Sequence, residues 1–357
     1  MPTCTPPAAF LAPGTPSDLR RQFVADIRSR FRPIRGRVRH FVAERDGFGL
    51  RSDARTARLQ DAGDEDLPDD WPDPPEAIPG FESNAAKTDA FVRWLREALR
   101  EGVLEPVETG DTIRLRQARG QDRRGVLQRW SHWTASYVLG ALFDSWDVAG
   151  SRLRVRGGTI APTALPDDPD LPGAFDIGVR PELLQALYVR AYEGLEAVVD
   201  DAAEQQVRET LTEGFAEGIN PREMADRLTK DIRGLQRRRA EAHARTTVMH
   251  VRTQGALNRY QEAGETVVSH VEIADANDAR VCPFCRRLDG VEMTIGEMQG
   301  THVLWRGDIY RLASPSHVNG RCTPLPSVGA SPPTEPLADR VPGTILTRTA
   351  SPHALSQ

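Results

Sequence analysis

Four residues in one stretch of the chain have the types and spacing to do metal chemistry. They are Cys282 and Cys285, two residues apart, with His317 and Cys322 farther along. Thiolate and imidazole donors in this order make the ligand set of a closed tetrahedral zinc site, in which the metal knots a small, loop-rich unit. The chain has 4 Cys; the other, Cys4, sits in a Pro-rich N-terminus, so every remaining thiol belongs to this stretch. If all four residues bind, no coordination position stays open and the zinc is structural. Two other readings stand beside this one. The first is a buried thiol cluster without metal, with His317 an ordinary loop histidine. The second is a redox dithiol, which wants a helix N-terminus after the pair to lower a thiol pKa. The turn signal Leu288-Asp289-Gly290 follows instead.

Catalytic readings of the same stretch fail on spacing or on roles. His270-Val271-Glu272 ahead of Cys282-x2-Cys285 resembles the zinc deaminase order of H-x-E followed by P-C-x-x-C. Only nine residues separate Glu272 from Cys282, and Val281 stands where that order has Pro. A zinc-knuckle nuclease needs a His base oriented by an Asn, and His317 with Asn319 offers the types. A zinc ligand cannot also be the free base. No G-x-x-x-x-G-K-[ST], G-x-S-x-G or H-E-x-x-H occurs.

The elements that would position the stretch are short strands and long helices. Thr266 to Ile273 carries Val267, Val268, Val271 and Ile273 in a strand-like pattern that leads into the cysteines. Gly290 to Met293 and His302 to Leu312 read as further short strands. Upstream, Leu184, Leu187, Tyr188, Ala191, Leu195 and Val199 mark one helical face, and Val207, Leu211 and Phe215 mark a second. Asn220-Pro221-Arg222-Glu223 starts a third helix by capping-box chemistry, with Gly234 expected to break it. A longer helix is expected from Leu235 to Ala263, with Ala240, Ala244, Val248, Val251 and Gly255 as a face for close packing. On another face of it Arg238, Arg245, Arg252 and Arg259 recur every seven residues. They form either a solvated, ion-paired face or a contact for phosphate or an acidic subunit.

Nearer the N-terminus, Leu19, Phe23, Ile27 and Phe31 mark a helix that Pro33 is expected to interrupt. Its polar face holds Arg20, Arg21, Arg28, Arg30, Arg32, Arg35, Arg37 and Arg39, a solvated face or a basic arm for nucleic acid or an acidic partner. Asp61 to Pro79 then mixes eight acidic residues with five prolines, too little apolar surface to order itself. Helices are expected at Ser83 to Gly102 and Arg123 to Trp146, and a long loop at Arg152 to Pro181. The chain thus divides into a basic helical arm (1–60), an acidic Pro-rich linker (61–82) and a helical region with a long loop (83–180). A helical core (181–264), a small β and zinc-knuckle-like unit (265–326) and a flexible tail (327–357) follow. The fold class is mainly α with a small C-terminal α+β domain, an elongated helical body followed by the short-stranded unit.

Composition bounds the rest. The 357 residues suffice for two or three compact units, while 27 Pro and 29 Gly indicate substantial linker. The net charge of -5 hides the segregation just described. No run reaches the roughly 18 apolar residues of a membrane span, and Met1 to Pro16 does not read as a signal peptide. Cysteines with zinc-like spacing fit a reducing compartment. The expectation is a soluble protein made in a cytoplasm.

The order of motifs from Pro181 to Pro324 resembles the head morphogenesis, or minor capsid, family of tailed viruses, typified by the F protein of phage Mu. The residues that carry it are Gly218-Ile219-Asn220-Pro221, Ala244-Arg245-Thr246-Thr247, Tyr260 to Gly264, the block Asp278 to Gly290, and Pro315 to Cys322. Two positions depart from the pattern. Thr247 stands for the Glu of A-R-T-E, and Gly320 for the first Cys of C-R-C, which leaves Cys322 as the thiol that completes the site. The resemblance implies a non-enzymatic structural protein, present in few copies in the virion, at the capsid interior or portal vertex, after assembly in the host cytoplasm. It implies the portal protein and the major capsid protein as partners and contact with packaged DNA, with no membrane; the basic arm and acidic linker could in addition pair between subunits of a homo-oligomer. Two other classes remain. A nuclease-like zinc-dependent nucleic-acid enzyme predicts an open metal site, and a cellular zinc-binding adaptor predicts neither portal nor capsid partners.

Overall fold

A computed structural model describes residues 14–50, 83–104, 132–157, 181–203, 205–279, 281–313, 315–317 and 320–346. The acidic linker at 61–82, the start of the helix expected from Arg123, most of the loop expected before Pro181, and the chain after 346 lie outside them. The helices are α1 (Gly14–Arg39), α2 (Asn84–Leu99), α3 (Ala135–Val155), α4 (Pro181–Ala203), α5 (Gln205–Glu217) and α6 (Pro221–Ala263). Then follow β1 (Val268–Ala274), α7 (Pro283–Leu288), β2 (Glu292–Met293), α8 (Ile295–Gly300), β3 (His302–Trp305), β4 (Asp308–Arg311), β5 (Thr323–Val328), α9 (Leu337–Arg340) and β6 (Thr344–Leu346). The protein is mainly α with a small C-terminal α+β region, as its patterning predicts. It forms two compact units, each assembled from separated segments. Unit 1 draws on Met1–Arg20, Asp111–Val189 and Ala244–Gln357, and unit 2 on Arg21–Gly110 and Arg190–His243.

In unit 2 the apolar stripe of α1 is fully buried at Phe23, Ile27, Phe31, Ile34 and Val38. The helix runs through Pro33 rather than stopping there. Proline inside a helix costs about 3 kcal/mol, and burying several large side chains on either side of it, each contributing about 1.5–3 kcal/mol, exceeds that. A π-turn at His40–Glu44 ends the helix, with Arg45 N–H donating to His40 O at 3.0 Å. Beyond it Phe41, Phe48, Phe91 and Trp94 pack with ring centroids 5.1–6.1 Å apart. Phe215 of α5 closes on Phe48 at 5.4 Å.

Helix α6 is continuous where sequence signals predict a break at Gly234. An interior glycine weakens a helix by about 1 kcal/mol but ends it only where the chain adopts a left-handed cap, and Gly234 has no positive φ. At its start Asn220 Oδ1 accepts from Glu223 N–H at 3.0 Å, as expected of the cap. Glu223, expected to complete a capping box, instead pairs with Arg227 at 2.9 Å.

In unit 1 the small-residue face of α6 meets α3. A Cβ on Gly255 would lie 2.1 Å from Ser145 Oγ and 2.9 Å from a Leu142 methyl, so only glycine permits this approach. Two three-stranded antiparallel sheets complete the unit, in the orders β2-β1-β5 and β4-β3-β6. The tail expected at 327–357 supplies the end of β5, α9 and β6 instead. Alternation carries β5 inward: Pro324 and Pro326 are buried partners of Ile273 and Val271. On its outer edge Arg156, the C-cap residue of α3, donates to Pro326 O at 2.6 Å and Arg152 of α3 to Pro324 O at 3.5 Å. Leu257, Tyr260, Val271, Ile273, Phe284, Leu288, Met293 and Val303 share one core.

Candidate metal centre

The centre sits at the junction of α7 with the loop before β5. Cys282 is the N-cap of α7, its sulfur accepting from Cys285 N–H at 3.2 Å, and Pro283 takes the first helical position. The two thiols are therefore one helical turn apart on the same side. His317 closes over them: its Nε2 lies 3.0 Å from Cys282 Sγ and 3.3 Å from Cys285 Sγ, and the three donor atoms lie within 4.8 Å of one another. Cys322 is buried, lines the same small cavity and hydrogen-bonds to the Cys285 thiol. No disulfide joins these cysteines.

The cavity has a volume of about 20 Å³, near the room one water or one ion requires. A tetrahedral ion bound at about 2.3 Å to sulfur and about 2.0 Å to nitrogen sets its sulfur and nitrogen donors about 3.5 Å apart. The 3.0 and 3.3 Å separations are a slightly contracted version of that cage. Cys282, Cys285 and His317 fit a metal ion, and Cys322 lines the same cavity beside them.

Thiol electrostatics separate this centre from a redox pair. Burial raises the Cys282 pKa, and the hydrogen bond with Cys322, followed by burial, raises that of Cys285 further. A reactive dithiol needs the opposite shift. A bound cation supplies the charge that makes buried thiolates stable, so the environment suits ligands better than nucleophiles.

The surroundings fix the donors. Phe284 stacks on Tyr310 of β4 with centroids 4.0 Å apart, and Tyr310 meets the His317 ring edge-on at 6.0 Å. Arg321, next to Cys322, makes two hydrogen bonds to Asp278, at 2.5 and 2.6 Å. Asp289 accepts from Asp275 N–H at 2.8 Å, and Gly290, at φ +77°, turns back so that its N–H donates to Ile273 O at 2.8 Å. The backbone also closes around Gly320. A Cβ there would lie 3.1 Å from His317 O and 3.2 Å from Ser316 N. This loop therefore packs against a hydrogen at 320, and Cys322 is the thiol that faces the cavity.

Residues 205–325 match the family model described as Phage Mu protein F like protein. Over this stretch the chain is similar to Phage Mu protein F like proteins. No curated protein and no solved structure matches the chain. Several of the residues that carry the resemblance have structural work in this stretch. Tyr260 is fully buried and directs its hydroxyl toward Pro324 O at 3.4 Å, Leu288 is fully buried, and Asp278 holds Arg321. The sequence places Asp278 in a motif without giving it a partner. Arg321 is 43 residues away, and no periodicity connects them.

The arginine stripe of α6 is divided among different environments. Arg252 pairs with Asp144 of α3 at 3.1 Å, and burial is the main influence on it, lowering its pKa. Arg259 is 6% exposed, pairs with Glu262 and lies 5.3 Å over the Trp146 ring. These two follow the ion-paired reading of the stripe, on a face that turns into the contact with α3. Arg245 is half-buried and engaged within the protein, and the side chain of Arg238 lies outside the described residues. His270 is buried, with Ser269 Oγ 2.8 Å from its Nδ1 and Glu292 3.5 Å from its Nε2. Among the described residues, Cys282, Cys285 and His317 form the one cluster of metal-ligating groups. Among them too, no helix is long and apolar enough to cross a membrane.

Proposed function

We propose that the protein is a non-enzymatic head morphogenesis protein of a tailed virus, acting with the portal and major capsid proteins as a minor component of the head. The observation that carries this reading is the Mu F-like match over residues 205–325, within which Cys282, Cys285 and His317 come together. Zinc is the metal proposed for that centre, because two or three thiolates with one imidazole in a tetrahedral cage are the donors zinc prefers. With Cys322 taken as the fourth donor the ion has no position for water or substrate, so its role is to staple α7 to the loop before β5. That supports a folding role rather than a hydrolytic one.

The test is to purify assembled heads and locate the protein. It is expected to sediment with them at low copy number, and to be retained when the portal is present and lost when it is absent. Absence from purified heads would overturn the reading. Duplex DNA incubated with the protein and divalent metal is expected to stay intact; chelator-sensitive cleavage would favour the nuclease alternative.

A further inference from the structure

Helix α1 exposes a line of arginines that the metal centre does not use. At 100° per residue, Arg28, Arg32, Arg35 and Arg39 fall within an arc of roughly 60° and span about 17 Å of helix axis. In the structure Arg28, Arg32 and Arg39 are exposed and Arg35 is half-buried. The buried apolar stripe from Phe23 to Val38 is centred roughly 110° around the helix from this line. Arg233 of α6, exposed and in the same unit, stands near enough to Arg35 that the two guanidinium groups repel. The Arg35 Nε atom is buried without a hydrogen-bond partner. Among the described residues no carboxylate pairs with Arg28, Arg32, Arg35, Arg39 or Arg233, although ion pairs form elsewhere in the unit, at Arg100–Glu196 and Arg208–Asp89. The one acidic residue of α1 within unit 2, Asp26, lies roughly 140° around the helix from Arg21 and Arg39.

We infer that this face, Arg28, Arg32, Arg35 and Arg39 of α1 with Arg233 of α6, is a binding surface for the phosphate backbone of nucleic acid. Like charges held together without counter-charge raise the energy of the free protein, and an anion relieves that cost on binding. Guanidinium groups suit phosphate oxygens through paired N–H donors. Along one DNA strand phosphates repeat about every 3.4 Å, so the 17 Å line covers about five of them. An acidic protein partner is the less suitable occupant. Protein interfaces are organised around buried aromatic or aliphatic anchors, and among the described residues the exposed large apolar side chains, Val155, Leu304 and Ile309, all lie in unit 1. A surface of cations without anchors is what sequence-independent backbone binding needs. This deepens the head-assembly reading by naming a nucleic-acid contact; its failure would leave the location of the protein in heads untouched.

The experiment measures binding of the full chain to a short mixed-sequence DNA duplex from about 50 to about 200 mM salt. Each phosphate contact contributes about 0.9 to the slope of log K against log salt. Replacing Arg32, Arg35 and Arg233 together by Gln is therefore expected to reduce the slope by up to about 2.7. The same three changed to Lys should keep most of it. Melting of the Gln variant reports folding, and should not fall, because the substitutions remove repulsion. The exposed double variant Arg28→Gln/Arg39→Gln provides the same readout without touching a half-buried position. Absent binding by the parent chain, or an unchanged slope in both Gln variants, overturns the inference. So does a poly-glutamate peptide that displaces the duplex at equal charge.

Discussion

Arg321 and Asp278 form a two-pronged ion pair, with nitrogen–oxygen distances of 2.5 and 2.6 Å, that ties the loop ahead of α7 to the residue beside Cys322. The hydrogen bonds to Asp278 raise the Arg321 pKa, so the guanidinium stays charged throughout the working pH range. The pair brings together the two chain segments that supply thiols, and its geometry depends on the planar fork of arginine. Arg321→Lys is expected to keep the charge and lose the fork. Outer-shell partners of metal ligands typically contribute about 10–100-fold in affinity. Competition with a chelating dye should therefore show Arg321→Lys and Asp278→Asn binding zinc about that much more weakly. Equal affinity in both variants would contradict a positioning role.

Removing the ligands should act on structure. Cys282→Ser and Cys285→Ser are expected to abolish tight zinc binding and to loosen the strands that pack on α7, because Phe284 joins that helix to Tyr310 of β4. Amide hydrogen exchange is the measurement. Protection should fall in β3 and β4 and persist in α2 and in α1 from Arg21 onward, which belong to unit 2. Chelation of the unmodified protein should reproduce the pattern.

Two glycines of α6 should respond to alanine with opposite signs. At Gly255 the new methyl meets Ser145 Oγ and Leu142; overpacking of this kind costs about 1–3 kcal/mol. At Gly234 nothing lies within 4 Å of the added carbon and the backbone is helical. Alanine there should stabilise by about 0.5–1 kcal/mol. Denaturant titration of the two variants checks both. A destabilised Gly234→Ala would mean that the helix needs a hinge at that point.

His243 makes stability depend on pH. Its ring is buried against Phe23 at 5.7 Å, and burial lowers its pKa to about 4 from 6.5. The unfolded chain therefore takes up this proton below about pH 6.5 while the folded chain resists it until about pH 4. The contribution to stability is complete above 6.5 and declines as pH falls through that window, by up to about 3 kcal/mol. His243→Leu should flatten that part of the profile, as read by exchange of α1 amides between pH 4 and 7. Parallel profiles for the two proteins would rule out His243 as the titrating group.

Much of this fold is legible in the sequence because apolar periodicity records burial. Leu19 aside, the stripe read from Phe23 to Phe31 is the one the protein buries, and Val268, Val271 and Ile273 lie in β1 as their pattern indicates. The three donors brought together at Cys282, Cys285 and His317 were marked by spacing alone. What stayed hidden depends on distant partners. Pro33 and Gly234 carry local break signals that tertiary burial overrides. Arg252 and Arg259 look like surface residues until Asp144 and Trp146 are placed beside them. The composition after Pro324 hides β5 and β6, since prolines are poor strand formers except on an edge.

That edge has a consequence for crowded surroundings. Strand β5 ends its sheet, and an open sheet border is ordinarily a template on which another copy can add a strand. Here Pro324 and Pro326 have no N–H to offer, and the Pro326 carbonyl is already taken by Arg156. A second chain arriving at this border finds few groups to bond. The sheet is thus protected against runaway polymerisation at high local concentration, and that protection comes from the residues that made the segment look unstructured.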